Sequence, residues 1–304
     1  MLFTVTRSRD FLTSSLRPCP PADRPRECRH LFVAVAMSAA LHMEDFVFAD
    51  APLSSVVAPA VASAAYVVVV FTLSWYMRVV RRGAGVDGPV MRFLQATHNL
   101  VLSGGSLVML LGTVVEVVRR FVREYNGSGP LGGVTFLFCE KLGATAKGPL
   151  YFWSYVYYLS KYYELLDTVL QLLKGRAPPH FFLHVYHHSV VLFMAWGWCE
   201  YCQTLQWFGV VFNTAVHVVM YYYYFRVVLK LPTPWKRFVT QFQIVQFGFS
   251  LLCFVVTATM IVFGAACQGT RALIFNLLFN VTLLYQFVGV LVGGTKKKPK
   301  PARD

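Results

Sequence analysis

Charge is scarce in this sequence. Of 304 residues only 14% are Asp, Glu, Lys or Arg, and the 14 acids are half as numerous as the 28 bases. With 56% hydrophobic residues and a mean hydropathy of +0.52, this composition excludes a soluble domain of such length and points to a bilayer as solvent. No internal repeat and no second domain stand out, which weighs against a transporter built from repeated halves. Cysteine is sparse too. Among seven, Cys199 and Cys202 form a CxxC with no second pair, so a structural zinc site is not indicated.

Long apolar runs, by contrast, are plentiful. Seven stretches of about twenty residues, near 56–77, 94–118, 149–172, 181–200, 205–228, 239–263 and 271–292, are long enough to span. They predict an all-α polytopic membrane protein with seven transmembrane helices. Residues 1–49 read as a disordered, Arg- and Pro-rich arm followed by a short lumenal or interfacial helix in LFVAVAMSAALHM, Leu31–Met43. Residues 50–295 form the membrane domain and 296–304 a basic tail. An odd number of spans puts the termini on opposite sides, and the Lys and Arg bias places the C-terminus in the cytosol and the N-terminus in the lumen. Arg119, Arg120 and Arg123 then fall on the disfavoured side. The same orientation makes Cys139 and Cys267 lumenal, where they could pair, and makes Asn126 of the NGS sequon a glycan acceptor. The net charge of +14 suits membrane flanks beside anionic lipid, or a basic mouth for an anionic substrate. It is not read as a nucleic-acid footprint.

Ionisable and amide side chains inside a membrane are costly, so each cluster is a functional hypothesis. In KYYELLDT, Lys161, Glu164 and Thr168 share a helical face with Asp167 beside it, and Lys161 can bridge to Glu164 or Asp167 as a purely structural lock. In FLHVYHHSVV, the i, i+3, i+4 spacing gathers His184, His187 and His188 on one side. Asn213, His217, Tyr221 and Tyr224 align in the next stretch. Thr240, Gln243 and Phe247, with Gln246 nearby, and the group Gln95, His98 and Asn99 read alone as helix packing.

An HxxHH box invites a membrane di-iron oxidase. That chemistry uses about eight imidazoles from several boxes, and here there is one box, with few histidines left for a metal pair. The alternative is organic catalysis, in which a buried, neutral imidazole acts as base or nucleophile.

KxxExxDT (Lys161, Glu164, Asp167, Thr168), HVYHH (His184, His187, His188), NxxxHxxMYxYY (Asn213, His217, Met220, Tyr221, Tyr223, Tyr224) and TxxQxxQF (Thr240, Gln243, Gln246, Phe247) occur in one order. In that order and spacing the chain resembles the very-long-chain fatty acid elongase (ELO) family over about residues 50–292, closer to fungal, plant and protist members than to animal ones. The resemblance implies a 3-oxoacyl-CoA synthase of the endoplasmic reticulum. Such an enzyme condenses acyl-CoA with malonyl-CoA and releases carbon dioxide and CoA. It also implies six of the seven helices in a barrel around a closed-ended acyl tunnel, and a homodimer. A 3-oxoacyl-CoA reductase, a 3-hydroxyacyl-CoA dehydratase and an enoyl-CoA reductase would complete the cycle. By analogy His187 is the nucleophile and His217 the second catalytic imidazole, with His184 and His188 orienting or stabilising. Asn213, Gln243 and Tyr221 are candidate donors to an oxyanion or enolate. Lys161, Glu164 and Asp167 would shape the field. Lys174, Arg176, Lys230, Lys236 and Arg237 would meet the CoA phosphates. No metal and no bound cofactor are expected, since the CoA thioesters are substrates. The KKK run at Lys296 is displaced from the dilysine retrieval position, so reticulum residence rests on resemblance.

Overall fold

The structure, a computed structural model, describes residues 43–178 and 180–295. The arginine-rich arm, all but the last residue of the 31–43 run, and the basic tail lie outside the described residues. The chain divides into units Met1–Asp45 and Phe46–Asp304. The predicted arm therefore gives up its last four residues to the second unit, where Phe48 is 2% exposed and donates its backbone N–H to Ala146 O at 2.9 Å.

Among the described residues a 3-10 turn, Phe48–Asp50, precedes eight α-helices. These are α1 (Val57–Val79), α2 (Pro89–Phe138), α3 (Pro149–Glu164), α4 (Leu166–Leu173), α5 (Phe181–Glu200), α6 (Gln206–Val228), α7 (Lys236–Val262) and α8 (Thr270–Thr295). There is no strand among them, only two isolated bridges, Val47 with Lys147 and Lys141 with Cys267.

Each predicted stretch overlies helix, and four helices, α1, α2, α7 and α8, are long and apolar enough to cross a membrane. Their outward faces carry Val61, Val68, Phe93, Leu111, Leu252 and Leu278, each more than half exposed. An apolar surface of that extent belongs in lipid. Of the helices between them, α3 and α4 have 16 and 8 residues, each too short to cross alone, and α5 and α6 carry the histidines and Asn213 of the site.

Two boundaries differ from the sequence reading, for local reasons. The 94–118 stretch is the middle of α2, a 50-residue element bent at Gly129, whose φ of 72° leaves the helical region next to Pro130. Proline removes an N–H and crowds the preceding turn, so the helix kinks there. Asn126 thus lies on a helix just before that bend and is exposed. The 149–172 stretch divides into α3 and α4 at Leu165, whose N–H turns to Tyr162 O at 3.3 Å instead of continuing a full α turn. Both α2 and α3 begin at a proline behind a glycine, the residue order that helix N-termini favour.

Helix contacts use small residues, as close packing in lipid requires. Ser103 of α2 donates to Val218 O of α6 at 2.9 Å, and Ser63 of α1 to Ser189 O of α5 at 2.8 Å. At one end of the bundle the expected Cys139–Cys267 disulfide joins the end of α2 to the α7–α8 loop. Arg120 forks onto Glu140 there, and Arg119 pairs with Glu116 at 2.7 Å. Two of the three arginines that weaken the charge asymmetry are therefore neutralised locally. At the opposite end Gly175, with φ +71°, ends α4, and a Cβ there would sit 2.6 Å from Gly83 O. That contact pins the α1–α2 loop against the turn leading into α5.

Candidate active site

The three box histidines occupy the first two turns of α5. The His184 and His188 rings lie 4.5 Å apart and those of His187 and His188 5.3 Å. His187 stacks on Phe279 of α8 at 5.9 Å, and Tyr66 of α1 approaches His188 at 6.0 Å. Among the described residues, the enclosed nitrogens Nε2 of His184, Nδ1 of His187 and Nδ1 of His188 have no hydrogen-bond partner. Each such atom costs on the order of 1–3 kcal/mol, and three in one cluster mark a place built for something other than packing.

A second layer comes from α3 and α6. Lys161 and Glu164, each 1% exposed, form the lock anticipated at i, i+3, with Nζ 2.8 Å from Oε1. Nζ also donates to Asn213 Oδ1 at 3.1 Å and sits 4.1 Å above the Tyr157 ring. The Tyr157 hydroxyl donates to the same Asn213 Oδ1 at 2.9 Å. His217 Nδ1 stands 3.4 Å from Glu164 Oε1, while Glu164 Oε2 is enclosed without a partner among the described residues. Glu164 therefore gathers a cation and an imidazole on one oxygen.

Asp167, one turn on in α4, faces other neighbours. Its Oδ1 is 2.8 Å from His98 Nε2 and its Oδ2 accepts from the Tyr221 hydroxyl at 2.7 Å. Of the two carboxylates open to Lys161, then, Glu164 takes it and Asp167 bridges α2 to α6. Tyr221, expected as an oxyanion donor, has its hydroxyl proton committed to Asp167. Gln243 Nε2 leans on Met220 Sδ at 3.4 Å, and Gln246, one turn along α7, is the glutamine that lines the central cavity.

That cavity, of about 40 Å³, is bounded by α3, α5, α6, α7 and α8. On α5 its wall is the stripe His187, Val191, Met194, Trp198, which at 1.5 Å per residue runs about 16 Å. His187, Asn213, Gln246, Ser250, Asn276 and Asn280 are its polar lining groups, and Trp198, Leu205, Phe208 and Cys253 are among its apolar ones. Trp198 fits because residue 209 is glycine: a Cβ there would meet its indole at 2.4 Å.

The five basic residues do not join this cluster. Lys174 and Arg176 lie between α4 and α5, Lys230 follows α6, and Lys236 and Arg237 open α7, all but Lys174 exposed. Both connections sit at the end of the bundle from which the α5 histidines start. Among the described residues no three His, Cys, Asp or Glu groups converge as metal ligands would. Tyr157 escaped the sequence reading, and so did the partner of His98. Tyr157 is one turn before Lys161 on the same face, a signal hidden by the surrounding tyrosines, and His98 was read as packing because its partner lies 69 residues away.

Comparison with known proteins gives a consistent assignment. Residues 51–302 match the ELO family, described as the GNS1/SUR4 family. The chain is 39% identical over 203 residues to a Dictyostelium discoideum protein provisionally named a fatty acid elongase, covering 66% of this chain and 63% of that one. It is 35% identical over 197 residues to fatty acid elongase sre1 of the same organism, 64% of this chain and 68% of the relative. With fatty acid elongase 5 of Leishmania major it shares 30% over 198 residues, 64% and 76% of the two chains. The matched segment spans just under two thirds of the first relative's length.

Proposed function

The chain belongs to the ELO (GNS1/SUR4) family, and from that premise we propose that it is a fatty acid elongase of the 3-oxoacyl-CoA synthase type. It condenses a long-chain acyl-CoA with malonyl-CoA to give 3-oxoacyl-CoA, CO2 and CoA. The observation that carries this reading is a cavity with an unpartnered imidazole, His187, in its wall and the largely apolar stripe Val191, Met194 and Trp198 beyond it on α5. In this reading a fatty chain lies along the α5 stripe beyond His187 and its thioester meets the histidine.

In the proposed sequence a His187 ring nitrogen attacks the thioester carbonyl, and the C–S bond breaks as the thiolate takes a proton relayed through His217. Malonyl-CoA loses CO2, its enolate carbon attacks the acyl carbonyl, and the C–N bond breaks to return the free imidazole. Splitting one hard step into two easier ones is the gain from a covalent intermediate. Glu164, through Oε1, holds His217 and Lys161 in register. His184 and His188 orient His187, and Asp167 fixes Tyr221. Lys174, Arg176, Lys230, Lys236 and Arg237 receive CoA phosphates at the cytosolic mouth.

The same reading assigns seven spans, with α3 and α4 together as one and six of the seven forming a barrel, in the endoplasmic reticulum membrane. The N-terminus is lumenal and the C-terminus cytosolic. The protein works as a homodimer beside the reductases and dehydratase of the cycle. Incorporation of radiolabelled malonyl-CoA by the purified protein, with metal analysis of the same sample, tests it. Condensation without bound iron is expected, and stoichiometric iron with oxygen-dependent product would instead establish a di-iron oxidase.

A further inference from the structure

Lys161 can only donate, because an ammonium has three N–H bonds and no lone pair. The Asn213 atom it touches at 3.1 Å is therefore the amide oxygen, and the Tyr157 hydroxyl donates to that same oxygen at 2.9 Å. With both acceptor positions of the oxygen taken, the amide cannot flip without setting its NH2 against an ammonium. Its two N–H donors are turned the other way, and among the described residues they hold no hydrogen bond. Asn213 and His187 line one cavity. A donor whose orientation is set before substrate arrives costs nothing to reorganise during reaction.

Tyr157 is itself held firmly. It is 1% exposed, stacks on Trp198 at 5.2 Å and 15°, and lies beneath the Lys161 ammonium. One tyrosine thus touches the cation, the amide and an indole that lines the same cavity.

We propose that Tyr157 is a positioning residue which, with Lys161, locks Asn213 so that its amide N–H groups meet the oxygen of the acyl carbonyl at His187. This rests on the elongase reading above. In it Asn213 is the group that touches the reacting atoms, and Tyr157 acts only through it.

A double-mutant cycle on the full chain tests this. Condensation rates are measured with a saturated acyl-CoA and radiolabelled malonyl-CoA for the parent, Tyr157→Phe, Asn213→Asp and the pair. Asn213→Asp keeps both acceptor bonds and removes the donors, so kcat should fall about 100-fold or more with KM within about twofold. Tyr157→Phe should lower kcat roughly tenfold at constant KM, the worth of one buried hydrogen bond. The pair should be no slower than Asn213→Asp alone, because the lock has nothing left to orient. Losses that multiply in the pair, or an unchanged kcat in Tyr157→Phe, would overturn the proposal. If Asn213→Asp does not fold, Asn213→Ser serves as the second arm of the same cycle. A parent protein that incorporates no malonyl carbon overturns the elongase reading and this inference with it, whereas an active parent with multiplying losses overturns this inference alone.

Discussion

Glu140 and Glu164 are two carboxylates with the same exposure, 1% each, and each holds a basic side chain. Their surroundings differ. Both oxygens of Glu140 are used, by the two arms of Arg120 and by the Tyr151 hydroxyl at 3.4 Å. Its backbone is used as well: the N–H donates to Thr204 and the carbonyl accepts from Gln268 N–H at 2.8 Å. Arg120 is stacked on Phe136 at 4.4 Å. Beside the Cys139–Cys267 disulfide, this is a closed latch. Glu164 crowds Lys161, Ser160 and His217 onto one oxygen and leaves the other without a partner among the described residues. A buried ion pair satisfied on every side specifies structure, and one left partly open stores free energy that a substrate or a proton can use.

The two ends should therefore fail in different ways. The largest effect is expected for His187→Ala, which should reduce condensation to below about a thousandth of the parent. The melting curve and the disulfide, read by a non-reducing peptide map, should stay as they were; retained turnover would remove His187 from the chemistry. Next, Glu140→Gln should cost about 3–5 kcal/mol of stability by stranding Arg120, with turnover per folded molecule unchanged. A loss of kcat in the folded fraction would abolish the distinction between the two carboxylates.

Glu164→Gln is the converse. Its kcat should fall roughly 100-fold, the scale of a displaced acid–base group, with a smaller shift in unfolding than Glu140→Gln produces. Equal destabilisation by both would mean that Glu164 is a second latch. The smallest effect is expected at the basic mouth. Lys230→Ala combined with Lys236→Ala should raise KM for both CoA substrates a few-fold at low salt, and the difference should shrink as salt screens exposed charge.

Much of this was legible because lipid imposes strict periodicity. A residue such as His187 in an apolar run is expensive wherever it lies, so the box, the Lys161–Glu164 pair and Asn213 stood out without coordinates. The disulfide was legible as two cysteines on one side of the membrane. The long reach of α2 was not, because Arg119, Arg120, Arg123 and the Gly129–Pro130 pair have the composition of a loop while the backbone continues as helix to its kink. Nor were Tyr157 and His98, whose meaning is a partner 56 or 69 residues away.

The order of residues alone determined that this chain lives in a bilayer, which segments are helical, and which side chains are too polar to be there without cause. Helical spacing is a local property, and a one-dimensional pattern suffices to read it. Only the packed helices decided that Glu164 takes Lys161 and His217 while Asp167 takes His98 and Tyr221, and which way the Asn213 amide faces. Those choices are made between helices distant in sequence, where a hydrogen bond is won by whichever donor the packing brings within about 3 Å.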